Sequence, residues 1–146
     1  MNKLYFAYGA NLNVDSMRQR CPLAAPLYPF ELIDWQLNFS GVATITPCPG
    51  ARVPGALWQL TADCEASLDV FEGYPDFYRK EYLTVSGVDV MVYIMNNDPP
   101  APPGPGYLAT IAAGYRDWGL DSFMLDQAVE RSHNRHNIAN VHTSFT

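Results

Sequence analysis

Between Asn96 and Gly106 the chain carries five prolines and two glycines in eleven residues. Each proline fixes φ near about −65° and removes a backbone donor, so neither a helix interior nor a central strand accommodates the run. It is expected to cross the molecule as a stiff, extended loop. It does not read as a linker, because only 40 residues follow it, too few to close a core of their own. The chain is therefore expected to form a single domain, residues 1–146, with a weakly periodic and mobile tail over about residues 133–146.

On either side of this run the elements are short. Leu4 to Tyr8 is aromatic and apolar and reads as a buried strand that breaks at Gly9. Asn13 or Asp15 caps a short helix over Met17 to Arg20, ended by Pro22. Four strands are expected next: Tyr28–Ile33, Gln36–Phe39, Ala43–Ile45 and Val53–Leu60, with turns at Gly41, Pro47, Pro49 and Gly50. Thr61 suits the N-cap of a helix to about Phe71, in which Cys64, Leu68 and Phe71 form a core-facing stripe and Gly73 supplies the stop. Glu81–Val85 and Val88–Met95 alternate around Ser86-Gly87 and predict a hairpin. Pro105 opens a helix whose face is Leu108, Ile111, Ala112 and Tyr115 and whose stop is Gly119. Asp121 or Ser122 then caps a last helix to about Arg131. The class is α+β.

Composition removes several functions. With 48% hydrophobic and 16% charged residues the chain is a compact globule rather than a disordered one. A net charge of −6 offers no general attraction to nucleic acid or anionic lipid, so neither is expected as a partner. No apolar run approaches the roughly 18–20 residues that span a bilayer. The apolar stretch after Met1-Asn2-Lys3 is too short and too aromatic for a signal-peptide core. Cys21, Cys48 and Cys64 are odd in number with no C-x-x-C pair, and read as free thiols in the cytoplasm. Asn38-Phe39-Ser40 matches a glycosylation sequon, which carries little weight without a secretory signal.

Three places hold candidate chemistry. Around Gly9-Ala10-Asn11 a buried strand stops just before a helix, where a ligand can approach the backbone and free N–H groups can hold an anion; an ordinary turn is the alternative. Glu72 ends a helix amid Phe71, Tyr74, Phe77 and Tyr78, a setting that raises a carboxyl pKa toward that of a proton shuttle. The competing reading is that Glu65, Asp69 and Glu72 form one solvated acidic face. His133, His136 and His142 lack a carboxylate or cysteine at metal-ligand spacing, so no metal site is expected.

Several of these segments also resemble one known family. Tyr5-Phe6-Ala7-Tyr8-Gly9-Ala10-Asn11-Leu12 resembles the Y-G-S-N-L signature of the γ-glutamylcyclotransferase family, which includes AIG2-like and γ-glutamylamine cyclotransferase relatives. Gly41-Val42-Ala43-Thr44-Ile45, Pro49-Gly50 and Val53-Pro54-Gly55-Ala56-Leu57-Trp58 resemble its following strands. Ser67-Leu68-Asp69-Val70-Phe71-Glu72-Gly73 resembles its L-D-x-x-E-G catalytic segment, with Tyr78 at the place of a later tyrosine. Tyr93-Ile94-Met95 and Pro102-Pro103-Gly104-Pro105-Gly106-Tyr107 resemble its Pro-rich substrate-contacting stretch, and Gly114-Tyr115-Arg116-Asp117-Trp118-Gly119-Leu120 its last helix. The motifs are colinear over about residues 3–125. Ala10 stands where the family usually has Ser, and a short Tyr-Pro-Asp-Phe segment joins Gly73 to Tyr78.

The resemblance implies a small mixed β-barrel flanked by helices and a cofactor-free enzyme acting on a small γ-glutamyl molecule. The substrate's own α-amine attacks its γ-carbonyl, giving 5-oxoproline and releasing the attached amine, a lyase or acyltransferase reaction. It implies Glu72 as the catalytic acid/base and a substrate site made of Tyr5, Phe6, Ala7, Tyr8, Gly9, Ala10, Asn11, Leu12, Tyr78 and Tyr107. Monomer and homodimer both stay open. Two other readings compete: a non-catalytic small-ligand-binding module, and a hydrolase pairing Glu72 with Asp76 or Asp69.

Overall fold

The computed structural model describes residues 2–144, with side chains described through residue 137. The elements run β1 (Lys3–Ala7), a single 3-10 turn (Ala10–Leu12), α1 (Val14–Arg20), β2 (Ala25–Ser40), β3 (Val42–Leu60) and α2 (Ala62–Glu72). They continue with β4 (Tyr78–Val85), β5 (Val88–Met95), α3 (Pro105–Trp118) and α4 (Phe123–Ser144). The strands form one mixed sheet in the order β2-β3-β1-β5-β4, with β1 in the centre, antiparallel to β3 and parallel to β5. The buried aliphatic and aromatic side chains form one contiguous core.

The fold is α+β, but the sheet is not closed into a barrel. Its edges are β2 and β4, each paired on one side. The distal half of the β2–β3 hairpin bends over the end of β5 and meets it through a side chain: Met95 N–H donates to Thr44 Oγ1 at 3.0 Å. Side chains thus stand where a closing ladder would have been.

The four short strands expected between Leu27 and Leu60 are two long ones. Pro47, Pro49 and Gly50 end nothing: Ile33 pairs with Arg52 and Trp35 with Pro47, so residues 48–51 of β3 bulge opposite Asp34. Asp34 takes a positive φ of 69° there, and its Oδ1 accepts from Gly50 N–H at 3.0 Å. Such a bulge bends the strand, which carries the hairpin tip over the sheet. Where β1 and β3 cross, a Cβ on Gly55 would collide with the Ala7 carbonyl oxygen and lie 2.6 Å from the Phe6 ring, so the site takes only glycine.

Local signals account for the helices. Asn13, rather than Asp15, caps α1, its side chain accepting from Ser16 N–H at 3.0 Å. Thr61 caps α2 and Gly73 ends it in the left-handed region at φ 66°. Cys64 and Leu68 of the expected stripe are buried, but Phe71 is 48% exposed, because the last turn of α2 rises past the core. Ser86 and Gly87, both at positive φ, make the β4–β5 turn. The Pro-rich run is extended and lies along the hairpin tip: Ala101 N–H donates to Phe39 O and Gly41 N–H to Ala101 O. Helix α4 continues past Arg131 through His133 and His136. Cys21 and Cys64 are buried and Cys48 half-buried, all as free thiols. Among the described residues no helix is long and apolar enough to cross a membrane.

Candidate active site

The loop after β1 is held from two directions. The 3-10 turn closes by Leu12 N–H to Gly9 O (3.0 Å) and Asn13 N–H to Ala10 O (3.1 Å), which leaves the N–H groups of Ala10 and Asn11 without an acceptor inside the turn. Helix α3 presses on it from behind. Trp118 Nε1 donates to Leu12 O at 2.8 Å, and a Cβ on Gly114 would lie 2.7 Å from the backbone of Leu12 and Asn13. Gly9 is the contact on the opposite side, where a Cβ would come within 3.2 Å of Ala43 Cβ and 3.4 Å of the Tyr107 hydroxyl.

Glu72 reaches this loop from the C-terminal end of α2, half-buried. Asn11 Nδ2 donates to Glu72 Oε1 at 3.1 Å and to the Tyr5 hydroxyl at 2.9 Å, while Arg20 Nη1 donates to Asn11 Oδ1 at 2.7 Å. Arginine is donor-only, so it fixes which end of the amide faces Glu72. Burial pushes the Glu72 carboxyl up to about 7, outweighing the opposing pull of Arg20 and Asn11. The negative end of the α2 dipole acts in the same direction as burial. Glu65 and Asp69 behave otherwise: Lys80 pairs with both, at 2.6 and 2.9 Å, and Lys3 with Glu65 at 3.0 Å. The three carboxylates do not make one solvated face. Two bind lysines, and Glu72 turns inward.

The cavity between loop and carboxylate measures about 140 Å3. Its lining includes Tyr5, Tyr8, Gly9, Ala10, Asn11, Glu72, Tyr78 and Tyr107, brought together from β1, the loop after it, α2, β4 and α3. Tyr78 and Tyr107 grip one residue. The Tyr78 hydroxyl donates to Ala43 O at 2.6 Å, and Tyr107 accepts from Ala43 N–H at 3.0 Å. Tyr8 donates to Tyr93 O at 2.5 Å, and Tyr93 to Asp69 Oδ1 at 2.6 Å. Burial holds the hydroxyls of Tyr5, Tyr8, Tyr78 and Tyr93 above their ordinary range and pushes Tyr107 up to about 12. They stay protonated near neutrality. Among the described residues lining the cavity, Glu72 alone changes charge near pH 7, and none is a Ser, Thr, Cys or Lys.

Comparison with known proteins places this arrangement. The family model for gamma-glutamyl cyclotransferase, AIG2-like proteins matches residues 5–117. The chain belongs to that family. It is 33% identical over 135 residues to the human gamma-glutamylcyclotransferase, covering 80% of this chain and 72% of that one, and 32% identical to the mouse protein over the same shares. Among solved structures it is similar to an uncharacterised human protein, with a TM-score of 0.75 and 29% identity over 92% of this chain and 86% of that one. A structure described as a gamma-glutamyl cyclotransferase gives a TM-score of 0.73 and 28% identity over 93% and 87% of the two chains.

Within this gamma-glutamyl cyclotransferase fold, three of the expected site residues sit apart from the cavity. Phe6, Ala7 and Leu12 are fully buried and do not line the cavity; Phe6 lies on the face of β1 opposite Tyr5, and Ala7, on the same face as Tyr5, is covered by the packed core. Conversely, Val42, Ala43, Phe71, Phe77 and Tyr93 line the cavity, and Arg20 reaches it through Asn11. Ala43 offers only backbone groups, which no residue pattern marks. Of the carboxylates proposed as partners for Glu72, Asp69 is bound by Lys80 and Tyr93, Asp76 is exposed, and neither lines the cavity. His133 and His136 lie on α4, where His136 Nδ1 is 3.2 Å from Pro100 O; His142 falls outside the described side chains. Among the described residues no three His, Cys, Asp or Glu side chains gather as a metal site would require.

Proposed function

We propose that this protein cyclises the γ-glutamyl group of a small molecule in the cytoplasm, forming 5-oxoproline and releasing the attached amine or amino acid. The α-nitrogen of the glutamyl unit bonds to its own γ-carbon and the γ-amide bond breaks. Glu72 takes the proton that the α-ammonium gives up and delivers one to the departing nitrogen. The N–H groups of Ala10 and Asn11 face the carbonyl oxygen as it gains charge. Tyr78 and Tyr107 keep the hairpin tip, and so the wall of the cavity, in place.

One observation carries this reading: a carboxyl pushed up to about 7 stands in a small cavity across from the loop of Gly9, Ala10 and Asn11. An ordinary glutamate, near pH 4.3, is a poor base at neutrality; one near 7 matches the task. A reaction whose nucleophile belongs to the substrate asks the protein only for orientation, an oxyanion site and a proton carrier. The family relatives' name, gamma-glutamylcyclotransferase, supports the same chemistry here.

The test is release of 5-oxoproline from a panel of γ-glutamyl compounds by the wild-type chain and by Glu72→Gln. Loss of at least about 100-fold in kcat with the variant still folding cooperatively is expected, since general acid–base help is worth about 10²–10⁴. Near-wild-type turnover by the variant would remove Glu72 from the chemistry. Ligand-induced thermal stabilisation with no 5-oxoproline from any compound would favour a binding module instead.

A further inference from the structure

The cavity is too small for a whole substrate. Pockets that enclose drug-sized ligands measure roughly 300–1,000 Å3, against about 140 Å3 here. A glutamyl group fills such a space, and the amine attached to it has to lie at the mouth. The mouth is aromatic and uncharged. Phe71 and Phe77 both line the cavity while remaining 48% and 51% exposed, with half-buried Val42 from the hairpin tip lining it as well. Exposed rings that border a cavity mark a binding surface far more than rings scattered singly do.

Both rings are held in place. The Arg20 guanidinium stacks 3.8 Å from the Phe71 ring centroid, and Phe77 packs edge-on against Tyr78 at 5.3 Å. Phe77 is also drawn toward the end of α2 by its N–H donating to Gly73 O at 2.8 Å, close enough that a Cβ on Gly73 would lie 3.1 Å from Phe77 Cβ. Arg20 is engaged by the Phe71 ring and Asn11 Oδ1 and does not line the cavity, and apart from Glu72 and the protonated tyrosines the lining offers no ionisable group to a charged leaving group.

We infer that the leaving-group site is the aromatic shelf of Phe71 and Phe77, and that the preferred substrates are γ-glutamyl conjugates of apolar, above all aromatic, amino acids or amines. The inference rests on the cyclotransferase reading and adds the substrate class to it. A planar or branched apolar side chain covers the exposed ring faces and is drawn to them by the same contacts that pair aromatic rings elsewhere. A charged side chain gives up hydration on the shelf and finds no partner.

The experiment compares kcat/KM for 5-oxoproline release from γ-glutamyl-phenylalanine, -leucine, -alanine, -glutamate and -lysine. Phenylalanine and leucine conjugates are expected to exceed alanine by about 10-fold, with both charged conjugates below alanine. Phe77→Ala should cut the phenylalanine-to-alanine ratio to within about 2-fold, with Phe77→Leu in between, and melting curves report whether each variant is folded. If neither variant folds, the wild-type series alone decides. Equal rates across the series, a preference for a charged conjugate, or an unchanged ratio in folded Phe77→Ala overturns the shelf while leaving the cyclotransferase reading intact. No 5-oxoproline from any conjugate overturns both.

Discussion

Asn11 donates from its amide nitrogen to Glu72 Oε1 at 3.1 Å, and its oxygen has no freedom to exchange places with that nitrogen because Arg20 Nη1 occupies it at 2.7 Å. The bond favours the charged carboxylate, as does the nearby guanidinium, while burial favours the neutral acid and prevails. The working pKa of Glu72 is thus set by a balance that single substitutions shift in a known direction.

Arg20→Met keeps an unbranched chain against Phe71 but removes the positive charge that lowers the Glu72 pKa. The acid limb of the pH–kcat/KM profile, expected near 7 in the wild type, should move to higher pH, with activity at pH 7 falling several-fold. Asn11→Ala should move it the same way. A limb unchanged in both variants would show that the limb belongs to another group.

The same carboxyl gives folding a pH signature. Its pKa is raised in the folded protein above the unfolded value, so the folded state binds the proton more tightly. The stabilisation is complete below about pH 4.5 and is lost as pH rises through about 7. The melting temperature of the wild type should therefore drop by more than that of Glu72→Gln between pH 5 and pH 7.5. Calorimetry on the pair reads the difference directly, since all other titrating groups are common to both.

Gly114 is where α3 touches the loop. A Cβ there would lie 2.7 Å from the backbone of Leu12 and Asn13, and backbone cannot yield as a flexible side chain does. Gly114→Ala should cost about 1–3 kcal/mol of stability and reduce kcat/KM for the γ-glutamyl substrate at temperatures where the variant is still folded. A stable variant with undiminished activity would mean that α3 does not position the loop.

Tyr78 and Tyr107 bond to the carbonyl and the N–H of the same residue, Ala43. Tyr107→Phe strands a buried donor and Tyr78→Phe a buried acceptor, each at about 1–3 kcal/mol. Because either loss frees the same hairpin tip, the double variant should cost less than the two single losses together. Urea titrations of the four proteins measure the coupling.

Much of this could be read from the chain. The Thr61 and Gly73 boundaries of α2, the Ser86-Gly87 hairpin and the extended Pro-rich run follow from local chemistry that tertiary packing leaves alone. Glu72 could be singled out because a lone carboxyl among aromatics is costly anywhere it is buried. Pro47, Pro49 and Gly50 misled for a physical reason: their turn chemistry serves a bulge against Asp34 inside a continuous hairpin, and only the strand partner tells bulge from turn. The open sheet was hidden likewise, since closure depends on whether the bent hairpin meets β5 by a ladder or by the Thr44 side chain. Ala43 was invisible because it contributes backbone alone, and Phe71 fitted the core stripe by spacing although the helix end carries it past the core.

In the proposed reaction the nucleophile belongs to the substrate and Glu72 serves only as its proton carrier. The most direct measurement compares a γ-glutamyl compound with the same compound N-acetylated at the α-amine. 5-Oxoproline and free amine are expected in equal amounts from the first and no product from the second. Release of the amine from the acetylated compound, or of free glutamate from the unmodified one, would show that water attacks and would contradict the proposed reaction.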